Sequence, residues 1–233
     1  MKRLTLFIDA DDTLLDFDKA ETRAITQTFE EFKLMGYEGI IESYKRNNLK
    51  AWKDFEQGII TRDDISTMRF EWVFSEFGIR GIDPYFINMV YWAYLAKGAD
   101  VIDGAREFCE WASKDNDLYV ITNGTAFIQD SRFELSDMNK YFKKRYISEN
   151  LGTRKPNKEF FDYIVKDIGS IDYKNSYIIG DSLSSDMQLG INAGVYTIWF
   201  NRENKQNTKG VQVCFEVKSF EELKELIEQL RKD

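Results

Sequence analysis

One stretch near the start of the chain decides the fold, Leu4-Thr5-Leu6-Phe7-Ile8-Asp9-Ala10-Asp11-Asp12-Thr13. Its first five residues form a nearly continuous apolar run rich in strand formers, which is typical of a strand buried on both faces of a parallel sheet. Acidic residues follow where this strand ends. Because open parallel sheets bind ligands just outside the carboxyl ends of their strands, Asp9 and Asp11 are candidate functional residues.

Further runs of this apolar character follow along the chain, with amphipathic helical patterns between them. The predicted strands lie at Leu118–Ile121, Ser176–Ile179 and Val195–Phe200, with a weaker one at Arg145–Ile147. The predicted helices cover Ala105–Ala112, Lys158–Ile168, Leu183–Ala193 and Phe220–Leu230. Strands that alternate with helices predict an α/β fold with a Rossmann-like, doubly wound parallel sheet.

The segment of residues 15–99 breaks this alternation. It is far longer than the ~15 residues of an ordinary loop and contains no apolar strand run. Helical patterns occupy residues 19–35, 41–57, 62–77 and 84–96. We therefore expect a core domain of residues 1–14 and 100–233, with an all-helical domain of residues 15–99 inserted into it. The inserted domain is rich in aromatic residues, most of which we expect to form its core.

The composition excludes several classes of protein. The chain contains no histidine, which excludes Ser-His-Asp and Cys-His catalysis and any histidine-ligated zinc site. A formal net charge of −8 argues against binding to a nucleic-acid polymer. No apolar run approaches the roughly 18 residues needed to cross a bilayer. Cys109 and Cys214 lack CxxC spacing, so we expect reduced, buried thiols in a cytoplasmic protein. The charged faces of the inserted helices and of the last helix are typical of solvated surfaces, so we expect a monomer.

Three later sites place polar residues where a predicted strand ends or a helix begins. Thr122-Asn123-Gly124-Thr125 provides a hydroxyl, an amide and a glycine at a strand-to-helix turn, where backbone N–H groups can bind phosphate. Lys155 stands before a helical pattern, and Asp181 and Asp186 follow a buried strand. Taken singly, each is also compatible with a helix cap or a solvated side chain.

The acidic pair at the first strand indicates a metal. Asp9 and Asp11 are two residues apart, so their carboxylates lie on the same side if the chain stays extended. Two carboxylates this close repel each other, and a divalent cation relieves the repulsion. Because only oxygen ligands are at hand, Mg²⁺ is favoured over zinc or copper. A turn capped by aspartates remains the alternative for this pair alone.

Taken together, these motifs resemble the haloacid dehalogenase superfamily. The family pattern of DxDx[TV], a strand-end Thr or Ser, a Lys and a Gly-Asp pair is matched in order over the whole chain. The helical segment after the first motif resembles the helical cap of that family. Closer still is the pyrimidine 5′-nucleotidase branch, which the chain resembles in Ile121-Thr122-Asn123-Gly124, Lys155-Pro156-Asn157-Lys158 and Gly190-Ile191-Asn192-Ala193-Gly194.

The resemblance implies a Mg²⁺-dependent phosphatase that acts on a small phosphate monoester, with a nucleoside 5′-monophosphate as the expected substrate. Asp9 would be the nucleophile and Asp11 the general acid and base. The metal would be held by Asp9, the backbone carbonyl of Asp11 and Asp181. The remaining residues bind phosphate or support the site. Thr122, the Asn123 backbone and Lys155 would bind phosphoryl oxygens, and Asp186 would orient Lys155 or a metal-bound water.

Several alternatives stay open at this point. A sugar-phosphate or phosphoglycolate-type phosphatase would share every motif. A phosphonate-cleaving relative would need a cap lysine, and the chain offers Lys19, Lys33, Lys45, Lys50 and Lys53. Dehalogenase members lack an acid at the position of Asp11, which favours phosphoryl transfer here. A phosphorylation switch and a non-catalytic binding module with the same fold are the remaining classes.

Overall fold

The computed structural model describes residues 1–232, which divide into two units. One unit contains Met1–Asp16 and the chain from Asp100 onward, and the other is Phe17–Ala99. The helices are α1 (Phe17–Glu31), α2 (Ile40–Glu56), α3 (Arg62–Phe77), α4 (Pro84–Leu95), α5 (Ala105–Asp115), α6 (Ala126–Leu135), α7 (Ser148–Leu151), α8 (Lys158–Ile168), α9 (Gln188–Ala193) and α10 (Phe220–Leu230).

The larger unit is built on a parallel sheet. Its strands are β1 (Thr5–Asp9), β2 (Asp117–Thr122), β3 (Lys144–Ile147), β4 (Ser176–Gly180), β5 (Tyr196–Phe200) and β6 (Phe215–Val217). They lie in the order β3-β2-β1-β4-β5-β6, and every pair of neighbours is parallel. The predicted doubly wound α/β sheet is confirmed. The short edge strand β6 was not predicted.

Strand β1 is buried on both faces, as its apolar run predicts. Leu6 and Ile8 belong to a core cluster with residues of α5 and α10, whereas Phe7 belongs to a second cluster with residues of α8. Successive side chains of a strand point to opposite faces, so one short run supplies both cores. The burial on either side fixes the register in which β1 pairs with β2 and β4.

The unit Phe17–Ala99 consists of the helices α1 to α4. Thr61 caps α3 by a capping box with Asp64, and Asp83 accepts the Tyr85 N–H at the start of α4. Helix α1 was predicted to reach Met35 but ends at Glu31. After Glu31, the backbone is left-handed at Lys33 and at Gly39. A right-handed α-helix does not continue through such residues.

The core of this helical unit is aromatic and includes a buried chain of polar side chains. Phe29, Tyr44, Phe70 and Tyr91 pack ring against ring, as expected for most of the aromatic residues of this segment. Four polar residues cross this core from helix to helix through hydrogen bonds. They are Glu21, Asn48, Arg69 and Asn88.

The two cysteines differ in their surroundings. Cys109 is buried, and burial raises the pKa of its thiol. Cys214 is exposed, so the prediction that both thiols are buried was wrong for this residue. It lies in the irregular segment before β6, where residues 202–213 are also exposed or half-buried. Within residues 1–232, no helix combines the length and apolar character needed to cross a membrane.

Candidate active site

The first acidic residues lie on a strand end and a tight turn. Asp9 is the last residue of β1, and the chain reverses at Asp12, which has a left-handed backbone with a φ of 58°. The turn is closed by backbone hydrogen bonds from Asp12 N to Leu15 O at 2.8 Å and from Leu14 N to Ala10 O at 2.9 Å. The regular strand therefore ends at Asp9, and the turn begins at Ala10.

The sheet order brings the predicted site residues together. β1 lies between β2 and β4, so the chain continues to one side of β1 and then crosses to the other. Ligand sites form at the carboxyl ends of the strands at such a switch point. Asp9 ends β1, Thr122 ends β2, and Asp181 directly follows β4.

Lys155 joins these strand ends through its ammonium group. Its Nζ donates to Asp9 Oδ1 at 2.5 Å, to Asp186 Oδ1 at 2.7 Å and to the backbone oxygen of Ile121 at 3.1 Å. Three acceptors match the three hydrogens of an ammonium. Burial opposes the charge on Lys155, but the charges of Asp186 and Asp9 outweigh it and raise the pKa of the amine.

Asp9, Asp181 and Asp186 form an acidic cluster. One carboxylate oxygen from each lies within 4.8 Å of the others. Burial, followed by the charge of Asp186, raises the pKa of Asp9 well above its usual range, against the opposing effect of Lys155. Burial and then Asp186 also raise the pKa of Asp181 to about 7. Carboxylates held this close favour a cation that prefers oxygen ligands.

Asp186 reaches the cluster because of Gly180 and an unusual helical turn. Leu183–Met187 forms a π-helical turn where the sequence predicted an α-helix, and such turns are frequent at functional sites. A Cβ atom at Gly180 would lie 2.3 Å from Cγ and Oδ2 of Asp186. The glycine of the Gly-Asp pair therefore leaves room for the Asp186 carboxylate, which also accepts the Ser182 N–H at 3.2 Å.

Thr122 and Asn123 lie beside Lys155. The Asn123 side chain donates to the backbone oxygen of Lys155 and accepts its N–H, both at 2.9 Å. This reciprocal pair fixes the backbone that carries the lysine. Thr122 is buried at the end of β2, and its Oγ1 accepts the Gly124 N–H at 3.0 Å. Sequence reasoning missed this use of the Asn123 side chain, since it considered only capping and the backbone.

Asp11 has surroundings of its own. Its Oδ2 accepts from Gln129 Nε2 at 2.6 Å, and its Oδ1 forms an ion pair with Arg132 Nη1. Both partners lie on α6 and are buried. Sequence reasoning missed them, because their spacing indicates only a shared helical face and does not identify Asp11 as the partner.

A further lysine lies at the edge of the acidic cluster. Lys205 Nζ is 3.5 Å from Asp181 Oδ2 and 3.1 Å from Glu203 Oε2, on the chain segment after β5. This segment is held by Asn201, which is buried, accepts the Lys205 N–H at 2.7 Å and donates to the Lys205 carbonyl at 3.0 Å. Sequence reasoning did not identify this cation, because nothing local marks it.

Known proteins are similar to this chain in sequence and in fold. A family model described as haloacid dehalogenase-like hydrolase matches residues 4–194. The chain is 36% identical to the pyrimidine 5′-nucleotidase PynA of Streptococcus pneumoniae, over 96% of this chain and 94% of that protein. It is 30% identical to the pyrimidine 5′-nucleotidase YjjG of Escherichia coli, over 97% and 99%. The crystal structure of the HAD-hydrolase YfnB of Bacillus subtilis bound to magnesium matches with a TM-score of 0.91 and 33% identity, over 97% and 99%.

Proposed function

Because the chain belongs to the haloacid dehalogenase-like hydrolases, we propose that it cleaves small phosphate monoesters through a phosphorylated Asp9. The family and its nucleotidase relatives establish the reaction class that the sequence predicted, a phosphoric monoester hydrolase. The finer proposal is carried by the placement of Asp9. It ends β1 at the switch point of the sheet, and its carboxylate is paired with the buried ammonium of Lys155.

We propose Mg²⁺ as the cofactor. The donor set fits a hard divalent cation, because three carboxylates converge within 4.8 Å and outnumber the one buried lysine. Asp9, Asp181 and the backbone carbonyl of Asp11 would hold the ion, and Asp186 would keep Lys155 in place beside it. When bound, the ion would offset the negative charge of the nucleophile and of the phosphoryl group.

The chain's own residues account for both chemical steps. An oxygen of Asp9 attacks phosphorus, the bond from phosphorus to the leaving oxygen breaks, and that oxygen takes the proton of Asp11. Asp11, now a carboxylate, removes a proton from a water molecule whose oxygen attacks the phosphorus. The Asp9–phosphorus bond then breaks and inorganic phosphate leaves. Asp11 ends protonated and Asp9 ionised, as at the start.

The phosphoryl group would be held by Thr122, the Asn123 backbone and Lys155. All three hydrogens of the Lys155 ammonium already have acceptors. We propose that a phosphoryl oxygen replaces the Asp9 carboxylate as one of these acceptors, because phosphorylation moves the negative charge from Asp9 to the phosphoryl oxygens. Lys155 would keep its contact with Asp186 during this exchange.

We propose a nucleoside 5′-monophosphate as the substrate, with the helical unit Phe17–Ala99 as the cap that selects the leaving group. Support comes from PynA and YjjG, both described as pyrimidine 5′-nucleotidases, which match the chain over almost its full length. We further propose a monomer in the cytoplasm that binds neither membranes nor nucleic-acid polymers. The net charge of −8 supports the last point.

A substrate panel with metal control tests the function. Release of inorganic phosphate would be measured with nucleoside monophosphates, sugar phosphates and phosphoglycolate, each with Mg²⁺ or with EDTA. We expect turnover only with Mg²⁺, and the highest kcat/KM with a pyrimidine nucleoside monophosphate. Equal or better turnover of sugar phosphates would overturn the nucleotidase assignment. Turnover that persists in EDTA would overturn the metal assignment.

Asp9→Asn tests the nucleophile. Asparagine has the same shape but does not form the acyl phosphate, so we expect no measurable turnover. The fold should persist, because burial already disfavours the charge of Asp9 and Lys155 keeps its pairing with Asp186. Asp103→Asn, on an exposed aspartate outside the site, is the matched control. Substantial activity of Asp9→Asn would contradict the proposed mechanism.

A further inference from the structure

Both carboxylate oxygens of Asp11 are engaged by donors from α6. Gln129 Nε2 donates to Oδ2 at 2.6 Å, and Arg132 Nη1 pairs with Oδ1. The Asp11 side chain keeps 27% of its surface exposed, whereas that of Arg132 is fully buried. The carboxylate is thus anchored from the protein interior while one side of it remains open to solvent.

The local sequence builds this contact. Positions 129 and 132 are three residues apart on α6, so their side chains lie on the same helical face. A Cβ atom at Gly124 would lie 2.3 Å from Gln129 Nε2. Any larger residue at position 124 would therefore push the glutamine away from Asp11. The glycine of the phosphate-binding motif makes room for the contact.

Gln129 contacts Asp11 from a buried position. Its Nε2 donates to the Asp11 carboxylate and also lies 3.4 Å from Thr122 Oγ1, while its Oε1 is buried and accepts no hydrogen bond within residues 1–232. A leucine at this position would fill a similar space but could not donate to Asp11.

We propose that Gln129 and Arg132 are positioning residues for Asp11, an assignment that rests on the proposed function. Arg132 fixes one oxygen of the carboxyl group as a permanent donor. Gln129 holds the other oxygen by donation from its Nε2. Asp11 is thereby held in one place while its proton moves to the leaving oxygen and is regained from water.

A purely structural role makes a different prediction. A buried arginine needs an anionic partner, and loss of that partner lowers the stability of the whole fold. Such a loss slows every substrate by the same factor. A positioning role concerns proton transfer, so its loss depends on the leaving group. Nucleoside alkoxides need a proton as they depart, whereas p-nitrophenolate leaves without one.

Single-turnover kinetics of Gln129→Leu separate the two roles. With enzyme in excess, release of uridine from uridine 5′-monophosphate and of p-nitrophenolate from its phosphate ester both report attack by Asp9. Because general acid–base catalysis is worth about 10²–10⁴-fold, we expect Gln129→Leu to slow uridine release at least about tenfold. Release of p-nitrophenolate should change by less than about threefold. Asp11→Asn sets the full size of the leaving-group effect.

Matched variants keep the test decisive. Gln229→Leu, on an exposed glutamine of α10, should leave both rates unchanged. Gln129→Asn keeps the amide on a side chain one methylene shorter and should show the same selective loss if Gln129→Leu does not fold. Arg132→Lys, which keeps the charge, should retain more uridine release than Arg132→Met.

Two outcomes would overturn the proposal. Equal slowing of both substrates by folded Gln129 variants would assign the residue a structural role. Unchanged release of uridine would show that Asp11 needs no support from α6. Failure of the proposed function is recognised separately in the wild-type protein. If it releases neither product in a Mg²⁺-dependent way, the phosphatase proposal fails, and if it releases p-nitrophenolate but no uridine, the nucleotidase proposal fails.

Discussion

Glu21, on α1, is a buried acid whose ionisation should destabilise the helical unit, so we expect Glu21→Gln to stabilise the protein at neutral and higher pH. Glu21 Oε1 accepts a hydrogen bond from Asn48 Nδ2 at 2.5 Å, and Asn48 accepts one from Arg69 at 2.8 Å. Burial is the largest influence and raises the pKa of Glu21 to about 7, although the hydrogen bond from Asn48 opposes it.

The magnitude follows from the two pKa values. The unfolded chain loses the Glu21 proton near pH 4.5, and the folded protein keeps it until about pH 7. Between these values the folded state binds more protons, so the free energy of unfolding falls as the pH rises. A gap of about 2.5 pH units corresponds to about 3 kcal/mol. The wild type has this stabilisation in full below pH 4.5, where Glu21 is neutral in both states, and loses it as the pH rises past 7.

Urea unfolding of the wild type and of Glu21→Gln across this pH range provides the assay. Glutamine keeps an oxygen that can accept the Asn48 hydrogen bond but does not titrate. We therefore expect the free energy of unfolding of the variant, relative to that of the wild type, to rise by about 3 kcal/mol between pH 4.5 and pH 8. Glu42→Gln, on an exposed glutamate of α2, should show no such trend. A stability difference that stays constant with pH would refute the reasoning.

Two further predictions concern the acidic cluster. Gly180→Ala should displace Asp186, because the new Cβ would lie 2.3 Å from the Asp186 carboxylate. We expect the free energy of unfolding to fall by about 1–3 kcal/mol and turnover to fall at least about tenfold. Gly36→Ala is the control, because a Cβ there has no described atom within 4 Å beyond its chain neighbours, and equal behaviour of the two variants would contradict the prediction. Lys205→Met removes a half-exposed cation 3.5 Å from Asp181 and so relieves about 1 kcal/mol of repulsion toward Mg²⁺. Calorimetry should therefore show Mg²⁺ binding about fivefold tighter. Weaker binding would contradict this prediction and would indicate that the lysine orients Asp181.

The sheet was largely predictable because its inner strands are buried on both faces. A continuous apolar run is the direct consequence of that burial, and it marks β1, β2, β4 and β5. β6 carries no such mark, since only one of its three residues is buried at the edge of the sheet. The helical segment was recognised by its length and its lack of apolar runs, but the ends of its helices depend on turns that apolar periodicity does not report.

The site was predictable where it lies on strand ends and unpredictable where it lies inside a helix. Asp9, Thr122 and Asp181 follow from the rule that carboxyl ends of parallel strands converge. Gln129 and Arg132 are mid-helix residues whose partner, Asp11, is 118 and 121 positions away in sequence. No local pattern connects residues so far apart. Their contact with Asp11 becomes visible only when the packing of α6 against the end of β1 is known.

The two aspartates of the first motif have different surroundings, which supports the two different roles proposed for them. Asp9 ends a strand and is buried among Lys155 and two further carboxylates, which suits a nucleophile that must be aligned and have its charge balanced. The reversal at Asp12 follows directly, and Asp11 pairs with α6 and stays partly open to solvent. An acid that must meet both a leaving oxygen and a water needs such access. Two chemically identical side chains that stand one residue apart thus have surroundings that match the two roles proposed for them.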